Sequence, residues 1–156
     1  MRARAGIEVA SHLNVDADQV WAWIATSEGV NDELRPWMRM TVPGGGDLDL
    51  DSVELGKPIG RSWVLLLSLI PIDYDEINVV ELEPGRGFVE RSKMLSQRAW
   101  EHVRTLEPVA DGSVITDSIA WEPRLPIPAG ALRPLFRTIF RHRHRRLRRR
   151  FGGVPA

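Results

Sequence analysis

Pro134-Leu-Phe-Arg-Thr-Ile-Phe-Arg-His-Arg-His-Arg-Arg-Leu-Arg-Arg-Arg-Phe151 decides the reading of this chain. At 3.6 residues per turn, successive positions rotate by about 100°. Phe136, Ile139, Phe140, Leu147 and Phe151 then share one side of a helix, and Leu132 extends the stripe just before its first regular turn. Pro134 suits that first turn, and Gly152-Gly153 stops the helix. At 18 residues it spans ~27 Å. Arg143 sits near the centre of the apolar stripe. An arginine there cannot shed its charge, so it must pair with a carboxylate or reach water.

A stripe of this length needs a surface to cover, and the preceding sequence reads mostly as strands. Ile7, Val9, Ser11 and Leu13 alternate with Glu8, Ala10 and His12, which predicts a first strand. Asp16 stands three residues before Gln19, a capping-box spacing that predicts a helix over Ala17 to Thr26, with Val20, Trp21 and Ile24 inward. A second short helix starts at Ser27 and ends before Pro36. Strands are expected over Trp37 to Val42, Arg61 to Ser68, Asp75 to Leu82, Phe88 to Met94, Ala99 to Pro108 and Ser113 to Glu122. Arg61 to Ser68 is apolar on both faces, as a central strand would be. The breaks between strands, such as Pro84-Gly-Arg-Gly and Ala110-Asp-Gly, are too short for parallel crossovers. An antiparallel meander follows. Pro123, Pro126 and Pro128 form a stiff link to the last helix. The fold class is α+β: an antiparallel sheet of about six or seven strands, two short helices after the first strand, and a long C-terminal helix across the sheet. A single domain over residues 1–156 fits the length.

Several strings carry a resemblance. Ser11-His-Leu-Asn-Val-Asp-Ala-Asp-Gln-Val-Trp resembles the opening strand and helix of the START-like superfamily, also called SRPBCC or helix-grip. Phe88-Val-Glu, Trp100-Glu-His-Val-Arg-Thr-Leu-Glu-Pro and Thr116-Asp-Ser-Ile-Ala-Trp resemble its later strands. Phe140-Arg-His-Arg-His-Arg-Arg-Leu resembles a closing helix of one bacterial branch. The superfamily includes polyketide cyclase/dehydrase-like and lipid-binding proteins. The resemblance implies a sheet wrapped around the last helix with a cavity between them. It implies no single chemistry, because function resides in the site.

Strand parity nominates the residues facing that cavity. Trp100, Ile115, Ile119 and Trp121 are the large apolar residues of their strands and should face the helix, which turns His102, Arg104 and Asp117 inward with them. Phe88 inward brings Glu90, Ser92 and Met94. The expected inner polar cluster is His102, Asp117 and Arg143, joined by Glu90 and Arg104, with Asp117 or Glu90 as the partner of Arg143. Phe88, Trp100, Ile119, Trp121, Phe136 and Phe140 complete the expected pocket. His102, Asp117 and Arg143 are the candidates for proton transfer and charge stabilisation, although an inward arginine–aspartate pair also serves simply to fix a helix onto a sheet.

Composition excludes several functions. The chain has no cysteine, hence no disulfide, thiolate metal site or cysteine nucleophile. Its basic opening lacks an apolar core segment, so no secretory signal is read. The longest apolar run, Trp63 to Ile72, is far short of the ~20 residues of a spanning helix, and a cytoplasmic location is expected. The Asp47-Leu-Asp-Leu-Asp run is no calcium loop, since Ser52 and Pro58 stand where glycine and glutamate are required. His142 and His144 are two apart on a helix and cannot chelate together. No phosphate loop or serine elbow is present, so neither metal nor cofactor is expected.

The formal charge of zero hides an asymmetry: residues 133–150 hold nine arginines, and no acidic residue follows Glu122. Arginines lying against an acidic body are favoured over a nucleic-acid surface. The outer set of Arg137, Arg141, Arg145, Arg148 and Arg149 has no interleaved aromatics, which disfavours single-strand binding and leaves peripheral contact with an anionic membrane open. The expected partner is a small hydrophobic molecule held in the cavity. Cyclase/dehydrase-like catalysis is the alternative, and anionic-surface contact through the arginine face is the third reading.

Overall fold

The structure, a computed structural model, describes residues 4–156. Residues 1–3 of the basic opening read above for a secretory signal lie outside the described residues. Strand β1 (Ala5–Leu13) leads into α1 (Ala17–Ile24) and α2 (Ser27–Leu34). The strands β2 (Met38–Met40), β3 (Gly60–Leu66), β4 (Ile70–Ile77), β5 (Val79–Glu83), β6 (Gly87–Met94), β7 (Gln97–Val109) and β8 (Gly112–Pro123) follow. A 3₁₀ turn (Ala129–Leu132) precedes α3 (Arg133–Phe151), and β9 (Gly153–Pro155) ends the chain. The sheet is nine-stranded in the order β2-β3-β4-β6-β7-β8-β1-β9, with β5 also paired to β6, and every pairing is antiparallel.

The α+β helix-grip class expected above is the architecture found. The meander is kept from β2 to β8, and β1 returns to the far side of β8 to extend it. Alternation does what parity requires: Trp100, His102, Arg104 and Leu106 of β7 and Ile115, Asp117, Ile119 and Trp121 of β8 are buried. The Asp16 carboxylate accepts from the Gln19 amide at 2.8 Å and starts α1, whose inward face includes Val20, Trp21 and Ile24.

Local details differ for physical reasons. α1 ends at Ile24 rather than Thr26, because Thr26 caps α2, accepting from the Gly29 amide at 3.1 Å. The strand expected over Asp75 to Leu82 is broken at Asn78, and both halves pair with β6. β3 is not a fully buried central strand: Trp63 is exposed because no layer covers the sheet's outer face there, and Leu66, on the inner face, borders the open cavity. The apolar run continues into β4 through a tip at Leu67 and Ser68, where Leu69 is 81% exposed. β9 was not anticipated. After Gly152 the chain turns back and pairs along β1, His12 opposite Val154.

The Asp47–Asp51 run is structural. Asp49 caps a 3₁₀ turn by accepting from the Asp51 amide, and Asp51 accepts from the Trp21 indole nitrogen at 3.1 Å. No helix is long and apolar enough to cross a membrane among the described residues.

Candidate functional site: a cavity beside a buried charge cluster

Asp117 is the acceptor at the centre of the buried network. Being fully buried, it must collect its hydrogen bonds from protein. His102 Nε2 and Arg104 Nε each reach Oδ1 at 2.7 Å; Arg104 Nη2 reaches Oδ2 at 2.7 Å and His144 Nε2 at 3.0 Å. Burial pushes this carboxyl's pKa up, but the charges and hydrogen bonds of Arg104 and His102 outweigh that and hold it well below the usual aspartate range. The carboxylate can only accept, so both imidazoles donate Nε2–H to it. A relay stands behind His144. Arg148 Nη1 donates to Ser11 Oγ at 2.7 Å, and Ser11 Oγ–H donates to His144 Nδ1 at 2.9 Å.

Arg104 occupies the space between two carboxylates. Its remaining donors reach Glu33 of α2, Nη2 to Oε1 at 2.7 Å and Nη1 to Oε2 at 3.1 Å. Burial opposes the arginine's charge, yet Asp117 and Glu33 raise its pKa well above normal. Burial also raises Glu33, and the Arg104 and Arg143 charges bring it back below an ordinary glutamate. Two guanidinium groups thus balance two carboxylates, the condition under which buried charge is tolerated.

The expected Arg143–Asp117 pair is not formed. Arg143 Nε meets Glu33 Oε1 at 3.3 Å, with its guanidinium 5.0 Å from the Phe140 ring centre. Arg104, which is nearer in register, takes Asp117 instead. Glu90 is not the partner of Arg143 either. It accepts from Ser92 Oγ at 2.7 Å, and its Oε2 lies 3.8 Å from His102 Nδ1.

A cavity of about 580 Å³ opens beside this network, between the N-terminal half of α3, α2 and the concave face of β3 to β7. That volume lies within the range of small-molecule pockets. Of the residues expected to line it, Phe88, Glu90, Trp100, His102, Arg104, Phe136, Phe140 and Arg143 do so. Asp117, Ile119 and Trp121 do not. α3 packs along β1, and the inward residues of the neighbouring β8 meet the helix's side chains instead of the void. Ile119 and Trp121 belong to a dry cluster with Phe136 and Phe140, and the Trp121 indole donates to the Ala129 carbonyl at 2.8 Å.

Edge-to-face contacts hold the His102 ring against Phe88 at 5.2 Å and Phe140 at 5.3 Å. Trp100 packs the same way on Phe136 at 5.1 Å.

Residues missed from the sequence include Glu33, His144, Asp75 and Gln97. His144 was legible, lying four positions after Phe140 and three before Leu147 on the buried side of α3. Glu33 was not, because the Ser27–Leu34 helix has too few apolar residues to mark an inward side. Met40, Val64 and Ile72, from β2 to β4, add apolar lining that parity on β7 and β8 could not reveal.

The arginines of α3 do not lie generally against an acidic body. Arg143 pairs with Glu33 and Arg146 with Asp32, both on α2, and Arg150 stacks on Trp23 with its guanidinium 3.3 Å from the ring centre. Arg137, Arg141, Arg145 and Arg149 form an exposed row at one-turn spacing, with no ion pair among the described residues. The body's excess acid is spread over the sheet and loops, out of their reach. Arg148, placed in the outer set from the sequence, is half-buried against Ser11.

A sheet closed on a long C-terminal helix, with a void between the two, is the helix-grip fold, shared with START-like proteins. Residues 11–151 match the family described as Domain of unknown function (DUF8410), and the chain belongs to that family. Solved structures share the fold. Protein CV1439 from Chromobacterium violaceum is 15% identical with a TM-score of 0.72, covering 94% of this chain and 97% of that one. A START superfamily protein from Mycobacterium smegmatis is 11% identical at a TM-score of 0.64, covering 95% and 96%. DynU16, a protein in the dynemicin biosynthetic locus, is 15% identical at 0.61, covering 92% of this chain and 46% of that one. At these identities the likeness is one of fold. No curated protein matches the chain.

Proposed function

We propose that the protein binds one small, largely apolar molecule in the cavity between the sheet and α3. The cavity itself carries this reading: about 580 Å³ lined mainly by aliphatic and aromatic side chains, with polar groups gathered on the β4, β6 and β7 wall. The START superfamily neighbour supports it by fold. Native mass spectrometry of gently purified protein tests it. A non-covalent mass should accompany the wild type and be lost in Val64→Trp, which fills the void. The reading falls if the wild type flies only as bare protein and binds no anilinonaphthalenesulfonate.

The disposition of His102 favours a second reading, cyclase/dehydrase-like proton transfer. Asp117 takes its Nε2–H, which leaves Nδ1, on the side of Glu90 and the cavity, as the atom through which a proton would be exchanged. Asp117 would then orient the imidazole and would not itself act as a base, since all its acceptor directions are occupied. Arg143 would face a developing enolate-like charge. DynU16, from a biosynthetic locus, supports this by fold alone. Unchanged turnover of a confirmed substrate by His102→Ala would remove the reading.

A further inference from the structure

Among the described residues, two oxygen acceptors in the cavity wall have no donor. Asp75, on β4, is 5% exposed, and Gln97, at the start of β7, is 2% exposed. Both line the cavity, and Asp75 Oδ1 and Gln97 Oε1 are buried with no hydrogen-bond partner among the described residues. Such atoms are rare in folded proteins and costly to keep.

The nearby protein donors are already committed. Ser62, opposite Asp75 in the β3–β4 register, gives its hydroxyl proton to the Thr41 carbonyl at 2.6 Å. Ser92 gives its proton to Glu90 at 2.7 Å. Ser96 gives its proton to Asp73, so its oxygen can only accept, and Gln97 must turn its NH₂ toward it at 3.2 Å. That fixes the amide orientation and leaves Oε1 as the free end. No rearrangement of these hydroxyls satisfies both acceptors without orphaning another.

We propose that Asp75 and Gln97 form a subsite that accepts hydrogen bonds from a hydroxyl group on an otherwise apolar ligand, an alcohol or a phenol. This rests on the cavity-binding reading and names the polar group of the ligand it requires. The surroundings favour a neutral donor. Burial, then the neighbouring Glu90 charge, push the Asp75 carboxyl well above the usual range, which favours the protonated form with its proton turned toward Glu90 and Oδ1 left as the acceptor. Burial raises Glu90 too, but the neighbouring His102, Asp75 and Ser92 hold it below an ordinary glutamate, so of the two carboxyls Glu90 is the one that keeps the charge. The subsite meets the Arg104 network only through Glu90 and His102. The ligand's hydroxyl lies at the β4 wall, and its apolar body runs under α3.

The test is displacement of anilinonaphthalenesulfonate by matched pairs: dodecanol against dodecyl methyl ether, and naphthol against methoxynaphthalene. Dodecylamine is added as a cationic arm. In the wild type the hydroxyl member of a pair should bind about tenfold tighter than its ether, the worth of one or two buried hydrogen bonds. Asp75→Leu and Gln97→Met should keep ether affinity, which shows that each variant is folded with an open cavity, and should lose the preference. Equal binding of alcohol and ether by the wild type, or a preference surviving in both variants, overturns the subsite and leaves the cavity reading standing. Tighter binding of the amine than of the alcohol overturns the neutral-donor assignment. Failure of every compound and of the fluorophore to bind sinks the cavity reading itself.

Discussion

Remove the Glu33 carboxyl, and Arg143 loses its ion pair while Arg104 keeps only Asp117. Uncompensated charge in an interior is expensive, so Glu33→Ala should lower the unfolding free energy by ~3–5 kcal/mol. Arg143→Met should cost far less, because Arg104 still meets both Glu33 oxygens and methionine suits the apolar stripe. Urea midpoints decide between them, and equal losses would contradict the placing of Arg104 at the centre. The carboxyls also set the acid response. Glu33 and Asp117 have depressed pKa values in the fold, so their stabilisation is present above their unfolded values and is lost as pH falls through the folded ones. Asp75 has the opposite sign. Its raised pKa favours the fold below the ordinary aspartate value, and that contribution is lost as pH rises through the folded value. Asp75→Asn should therefore be more stable than the wild type at neutral pH, with the gain shrinking as pH falls toward about 3.9. A binding group that costs stability is the expected signature of a functional site.

The last helix shows how legible a single element can be. Its apolar stripe and the inward position of Arg143 followed from rotation by about 100° per residue. The partner of Arg143 did not, because it lies on α2, whose sequence lacks a stripe to orient it. Parity similarly placed His102, Arg104 and Asp117 inward but could not separate a residue under the helix from one beside the void. β9 was hidden because its three residues, Gly153–Pro155, begin inside the Gly-Gly stop and carry no alternation. Gly153 has φ +135°, and a Cβ there would lie 1.9 Å from the His12 carbonyl oxygen. Gly153→Ala should cost about 1–3 kcal/mol and free β9 from β1, read as faster amide exchange at Val154 and Ala156. The arginine row on α3 places like charges at i, i+4 spacing. Burial and the Arg145 charge already hold Arg148 below an ordinary arginine. Arg145→Gln should stabilise the protein slightly in low salt. The gain should vanish near 1 M, where the screening length is about 3 Å.

Across the whole molecule, apolar packing is uneven. One core cluster joins α1 to Leu106, Ile115 and Leu147, and the other joins Ile7, Trp100, Ile119 and Trp121 to Phe136 and Phe140. Neither draws a residue from β2, β3 or β4, which instead wall the cavity and expose Trp37, Leu67, Leu69 and Ile70 around the β3–β4 tip. Strands without a packed layer behind them open locally at lower free energy than the core. In the empty protein, amides of β3 and β4 should exchange through such openings, while β1, β7 and β8 should exchange only on global unfolding. An occupant supplies the missing layer. At a hundredfold excess over its dissociation constant it stabilises the bound form by about 2.7 kcal/mol. Openings of β3 and β4 that release the occupant should slow by up to that amount, about a hundredfold, and so should the global unfolding through which β1, β7 and β8 exchange. Hydrogen exchange with and without naphthol reads this directly. Front-strand amides that exchange no more slowly with the compound present would mean it does not bind in the cavity, and prior strong protection of β3 and β4 would mean those strands have a layer of their own.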